Sequence, residues 1–118
     1  MPTISKGRTP LTLINIFTVA PENQDELIKL LTDVTEHHVR HHKGFVSASL
    51  HRGIDGKKVT MYAQWASVDD YESMRRQSGP APALENALKI ATFDPGMYEV
   101  AEIFLPDEGK KRATTTEQ

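Results

Sequence analysis

Three side chains hold the chemistry in this chain: Asn15, Trp65 and Tyr71. Residues 11–19, Leu-Thr-Leu-Ile-Asn-Ile-Phe-Thr-Val, read as a strand whose odd positions are apolar except for Asn15. A primary amide in a row that faces a core needs a partner there, from the protein or from something bound to it. Trp65, the single tryptophan, ends the alternating run 58–65, and Tyr71 follows it six residues on. If the two runs join one sheet, Asn15 and Trp65 share a face with Val59, Met61 and Ala63. An apolar wall carrying two N–H donors is how a small-molecule pocket is built. Each residue also has a purely structural role open to it. A tryptophan ending a strand can anchor a core or an interface. Asn15 can satisfy backbone groups beside a bulge, and Tyr71, at helical spacing from Met74, can simply pack.

A second cluster, His37, His38, His41 and His42, forms two i, i+4 pairs near the end of the first helical segment, a spacing able to hold a divalent metal. No Asp, Glu or Cys is fixed beside these histidines by the pattern. On a helical wheel His38 and His41 continue the apolar stripe, while His37 and His42 lie at its edges. Histidines facing the negative end of a helix dipole are the ordinary alternative, and no metal is assigned.

Positioning these groups requires a folded domain, and 118 residues suffice for one core and not for two domains. Lys and Arg number 14 against 16 Asp and Glu, a formal charge of −2, with no basic stripe. Nucleic acid is therefore not an expected partner. No window approaches the roughly 18 apolar residues of a membrane span, and the polar start lacks a signal peptide's apolar core. A cytoplasmic, membrane-free protein is expected. Cysteine is absent, which excludes disulfides, thiolate nucleophiles and cysteine-held metal centres.

Residues 1–10 are rich in breakers and short of apolar side chains, and predict a flexible arm before a domain spanning 11–105. Pro21, then Glu22, Asp25 and Glu26, mark a helix start, and Leu27, Leu30, Leu31 and Val34 give the stripe of a helix over 21–42 that Gly44 terminates. Runs 45–51 and 58–65 alternate with period two around Asp55-Gly56, a hairpin. Ser67, three residues before Asp70, resembles a capping box opening a second helix. The 78–82 stretch interrupts that helix, after which Leu84, Ala87, Leu88 and Ala91 resume helical spacing. Residues 97–104 read as a last strand, and 106–118 as a disordered tail.

The order strand, helix, strand, strand, helix, strand is a ferredoxin-like α+β arrangement, a split βαββαβ with a four-stranded antiparallel sheet. Helices cover one face, and the other presents Ile14, Ile16, Tyr62 and Ser47 or Ser49. A half-apolar open sheet face of this kind predicts a homodimer.

The stretches 13–19, 44–48, 62–65 with Tyr71 after them, and the Asp55-Gly56 turn, resemble the antibiotic biosynthesis monooxygenase family of dimeric α+β barrels over 11–104. The resemblance implies a small oxygenase that needs no cofactor and converts an anthrone or phenol ring of a polyketide-like polycyclic aromatic to a quinone, with the aromatic substrate and dioxygen as its small-molecule partners. It implies Asn15, Trp65 and Tyr71 as the catalytic set, with Phe17, Met61, Ala63, Met74 and Leu84 lining the substrate slot. Two positions depart from some of those oxygenases, Met61 standing for an asparagine and Glu85 lying near an arginine. These departures favour a second reading, a dimeric ligand-binding or pathway-accessory protein. An isomerase or cyclase acting on a related enolisable ring is a third. Haem-degrading relatives of the fold also use a first-strand asparagine, but they hold iron through a second-helix histidine, where this chain has Leu84 and its neighbours.

Overall fold

The computed structural model describes residues 7–77 and 81–107. Alternation in the first segment produces β1 (Gly7–Val19), which starts four residues ahead of the expected Leu11. Pro21 opens a single 3-10 turn, Pro21–Asn23, which leads into α1 (Gln24–His37). Gln24 is buried there, and its Nε2 donates to the carbonyls of Gly53 at 3.0 Å and Lys58 at 3.1 Å, tying the helix start to the β2–β3 turn.

The expected single helix over 21–42 is therefore shorter. It stops at His37, and a second 3-10 turn, Val39–His41, carries the chain to Gly44. Gly44 has φ of +90°, and a Cβ there would overlap the Asp70 side chain, so both its backbone and its surroundings call for glycine. The hairpin follows as β2 (Phe45–Arg52) and β3 (Lys58–Trp65). Ser67 caps α2 (Val68–Arg75), its Oγ accepting from the Asp70 amide at 3.1 Å.

The interrupted second helix is present as α2 and α3 (Ala81–Ala87). Ala91, expected on α3, instead begins β4 (Ala91–Asp94), whose apolar/polar alternation is only four residues long. Pro95-Gly96 then breaks the edge before β5 (Met97–Val100). A Cβ on Gly96 would lie 2.6 Å from the Tyr98 ring, so the chain passes too close there for a side chain. The last strand was expected to reach Phe104; β5 ends at Val100, which pairs with Gly7 of β1.

The sheet is antiparallel in the order β2-β3-β1-β4, with β5 also pairing β1. Together β4 and β5 act as one interrupted edge strand, so the arrangement is the ferredoxin-like one. Register sets Leu11 opposite Trp65, Leu13 opposite Ala63, Asn15 opposite Met61 and Phe17 opposite Val59. Ile14 pairs with Tyr62, and Tyr62 with Ser49, on the opposite face, where Ile14, Ile16, Tyr62, Ser47 and Ser49 are all half-buried.

Two core clusters occupy the helix-covered face. One comprises Leu11, Leu13, Ala63, Trp65, Tyr71 and Met74; the other Phe17, Val19, Leu27, Leu31, Val59 and Ala87. No helix among the described residues is long and apolar enough to cross a membrane.

Candidate active site

The cavity opens where the two clusters part. On β1, Leu13 belongs to one cluster and Phe17 to the other, and Asn15 stands between them facing Met61. The space above this pair has a volume of about 340 Å³, within the ~300–1,000 Å³ usual for small-molecule sites. Its floor is Leu13, Asn15, Phe17, Met61, Ala63 and Trp65, with Tyr71, Met74 and Arg75 from α2, Leu84 and Glu85 from α3 and Leu88 from the turn after it around the space. The residues singled out in the sequence, Asn15, Phe17, Met61, Ala63, Trp65, Tyr71, Met74 and Leu84, thus all line one space.

The polar groups are few and specifically placed. Asn15 Oδ1 is buried with no hydrogen-bond partner, and so is Thr12 Oγ1, which β1 turns to the other face. A carboxamide left unpaired costs free energy comparable to a lost hydrogen bond, so it is a group waiting for a ligand or water. Trp65 is 1% exposed, held edge-on to Phe45 at 5.5 Å and 87° and to Tyr71 at 5.9 Å and 61°. These contacts fix the indole plane. Tyr71 accepts a hydrogen bond from Arg75 Nη1 at 3.0 Å, which leaves its own O–H proton free to donate elsewhere.

A smaller chamber of about 170 Å³ adjoins the cavity at the Pro95-Gly96 break. Asn15, Tyr71 and Arg75 line both spaces and form the polar wall between them.

Sequence reasoning did not find Arg75 or Phe93. Arg75 follows Tyr71 by one helical turn, and that spacing was its available signal. Phe93 stacks on Phe17 at 4.8 Å, and the alternation of 91–94 was the signal for it. The histidine cluster lies elsewhere and is engaged with its own helix end. The Asp33 carbonyl lies 2.9 Å from His37 Nδ1, and the Glu36 carbonyl 3.0 Å from His41 Nε2. Among the described residues no three His, Cys, Asp or Glu side chains are grouped to hold a metal.

Residues 10–79 match the antibiotic biosynthesis monooxygenase family. The chain belongs to that family. A tetracenomycin-F1 monooxygenase of Streptomyces glaucescens is 40% identical over 104 residues, 88% of this chain and 93% of the relative. Among solved structures, SnoaB of Streptomyces nogalater, a cofactor-independent oxygenase, superposes with a TM-score of 0.70 at 26% identity, covering 83% of this chain and 98% of that one. ActVA-Orf6 of Streptomyces coelicolor, a monooxygenase solved with nanaomycin D, gives 0.71 at 26% identity over 84% of this chain and 94% of that one. The family match ends at residue 79, so α3, the turn after it and the broken edge strand, which bring Leu84, Glu85, Leu88 and Phe93 to the cavity, lie beyond it.

Proposed function

We propose that this protein is a cofactor-independent monooxygenase that oxidises a polycyclic aromatic anthrone or phenol to a quinone with dioxygen. The observation that carries this reading is a half-buried asparagine, Asn15, whose carboxamide oxygen is buried without a partner, set among apolar walls beside Trp65 and Tyr71. The chain's likeness to the tetracenomycin-F1 monooxygenase, to the cofactor-independent oxygenase SnoaB and to the monooxygenase ActVA-Orf6 supports it.

In this reading the substrate supplies the electrons. An enolisable ring loses a proton, and the resulting carbanion or phenolate passes one electron to dioxygen. The radical pair recombines, and loss of water leaves the new carbonyl. One oxygen atom enters the quinone and the other leaves in that water with two substrate hydrogens, both from the oxidised CH2 of an anthrone or one from the ring carbon and one from the hydroxyl of a phenol, so no outside reductant is needed. The protein's part is a dry slot and donors aimed at the oxygen that becomes negative. Asn15 offers its carboxamide N–H, Trp65 its indole N–H and Tyr71 its O–H, and Met61 shapes the slot beside Asn15. One well-placed donor is worth about 3 kcal/mol in a transition state. The half-apolar opposite face, with Ile14, Ile16 and Tyr62, pairs two copies in a homodimer in this proposal, to be tested by sedimentation equilibrium.

The deciding experiment is oxygen uptake by metal-free, flavin-free protein with dithranol, with quinone absorbance followed above the spontaneous rate. Enzyme-dependent uptake is expected. Saturable quenching of Trp65 fluorescence without uptake would replace the reading with that of a binding protein or an isomerase, towards which Met61 and Glu85 lean.

A further inference from the structure

We propose that Pro95 is the positioning residue for Asn15: standing opposite it on the sheet edge, with neither a donor nor an acceptor in its side chain, Pro95 keeps the carboxamide unpaired and free to turn to a bound ring. The inference rests on the reading of Asn15 as a donor of the site and adds the residue that holds it ready.

Pro95 lies in the break between β4 and β5, yet the ladder does not lose count there. Ile16 pairs with Asp94 and Leu13 with Met97, so both edge segments keep one register on β1 and Asn15 falls opposite Pro95. The Ile14 amide donates to the Gly96 carbonyl at 3.0 Å, which makes Ile14 and Gly96 a hydrogen-bonded pair. In an antiparallel ladder the next pair is of the other kind, with Cα atoms about 4.5 Å apart and backbone groups turned away from each other. A proline in that place removes no ladder hydrogen bond, because its missing N–H would have faced the outer edge.

Side chains directly opposite on one face set their Cβ atoms about 4.5–5.5 Å apart, within reach of a short polar group. Asn15 has two such neighbours, Met61 on β3 and Pro95 on the edge. Asn15 and Pro95 also line the same smaller chamber, so their side chains share a face. Neither neighbour has an N–H or O–H to give, and the thioether of Met61 is a weak acceptor. That is the physical cause of the orphan at Asn15, whose Oδ1 is buried with no partner among the described residues. A serine or threonine at position 95 would close a cross-strand hydrogen bond to the amide. Oδ1 is out of the reach of bulk water, so such a bond satisfies a buried acceptor and is favoured. The amide would then be tied to the sheet instead of the ring.

The test compares Pro95→Val with Pro95→Thr, which match in shape and differ by a hydroxyl, in the intact protein and again in the Asn15→Ala background. Dithranol oxidation gives kcat and KM, thermal melting gives stability, and the side-chain amide signals of Asn15, assigned by their absence from Asn15→Ala, report its pairing by NMR. Pro95→Val is expected to keep kcat within about twofold and to leave the amide signals in place. Pro95→Thr lowers kcat about tenfold or more, part of the 10²–10³ that one oxyanion donor is worth, moves KM less than about twofold, shifts the amide signals and melts no lower than Pro95→Val. In Asn15→Ala the two variants differ by less than about twofold, since no amide remains to be captured. Pro95→Ala and Pro95→Ser repeat the contrast with smaller side chains.

Equal kcat in Pro95→Val and Pro95→Thr overturns the proposal, as does a difference between them that persists without the Asn15 carboxamide. The oxygenase reading is judged separately. If the wild type does not oxidise dithranol, that reading falls and the amide signals decide the proposal alone: a shift in Pro95→Thr but not in Pro95→Val upholds it, and equal signals overturn it.

Discussion

One pair of strands builds two different interiors on either side of Asn15. Towards Val19, the cluster of Phe17, Leu27, Val59 and Ala87 is closed, with Leu27, Val59 and Ala87 wholly inaccessible and α1 and α3 packed over it. Towards Leu11, the cluster of Leu13, Ala63, Trp65, Tyr71 and Met74 is equally dry but ends in side chains with polar handles, under the short α2. The Asn15–Met61 pair marks the boundary. Core and cavity wall are therefore made by the same alternation, and what separates them is the helix laid above and one amide in the row below. If that division is sound, damage to the first cluster should register as lost stability and damage at the boundary as lost turnover.

The largest effect is expected in the closed cluster. Leu27 is inaccessible, so Leu27→Ala leaves a cavity and should cost about 2–5 kcal/mol, lowering the melting temperature by ten degrees or more. Turnover per folded molecule, with folded fraction measured by circular dichroism, should stay within about twofold. A proportionate loss of turnover would show that the closed cluster also shapes the site.

Asn15→Ala should do the reverse. Turnover falls about 10²–10³-fold, the value of one oxyanion donor, while thermal stability changes by less than about 0.5 kcal/mol. The small stability change follows from the pairing: Oδ1 has no partner, so its removal orphans nothing. A large stability loss with unchanged turnover would make Asn15 a structural amide. Trp65→Phe tests a residue with both duties. It should lower turnover by about 10²-fold through the lost N–H and cost about 1–2 kcal/mol through the lost volume between Phe45 and Tyr71.

The sequence disclosed this boundary because Asn15 breaks an apolar row, and a break in a period of two is visible without a structure. Trp65 stood out by its position at a strand end, and the hairpin by Asp55-Gly56. The edge strand was hidden for a physical reason: 91–94 is too short to carry a period, and it continues a helical one from Leu84 and Ala87. Its break at Pro95-Gly96, which lines the smaller chamber, is placed by how the two short segments pair with β1, a long-range register that no local pattern contains. Arg75 was illegible because its place at the cavity depends on Tyr71 holding it down. On a polar helix an arginine otherwise reads as a solvated charge.

The smallest effect tests whether the two interiors are independent in motion as well as in role. Ser67 caps α2 by accepting from the Asp70 amide, and the Tyr71 amide donates to the Ser67 carbonyl at 3.2 Å. Ser67→Ala should cost about 1 kcal/mol, typical of a lost N-cap. Because α2 is eight residues long and carries Tyr71, Met74 and Arg75, that loss should concentrate at its first turn. Amide hydrogen exchange is then expected to quicken over 70–75 and to stay unchanged over 27–34 on α1, with a raised KM for the aromatic substrate and a kcat within about twofold. Equal acceleration over both segments would mean that the clusters open as one cooperative unit. The line at Asn15 would then divide the protein's chemistry but not its folding.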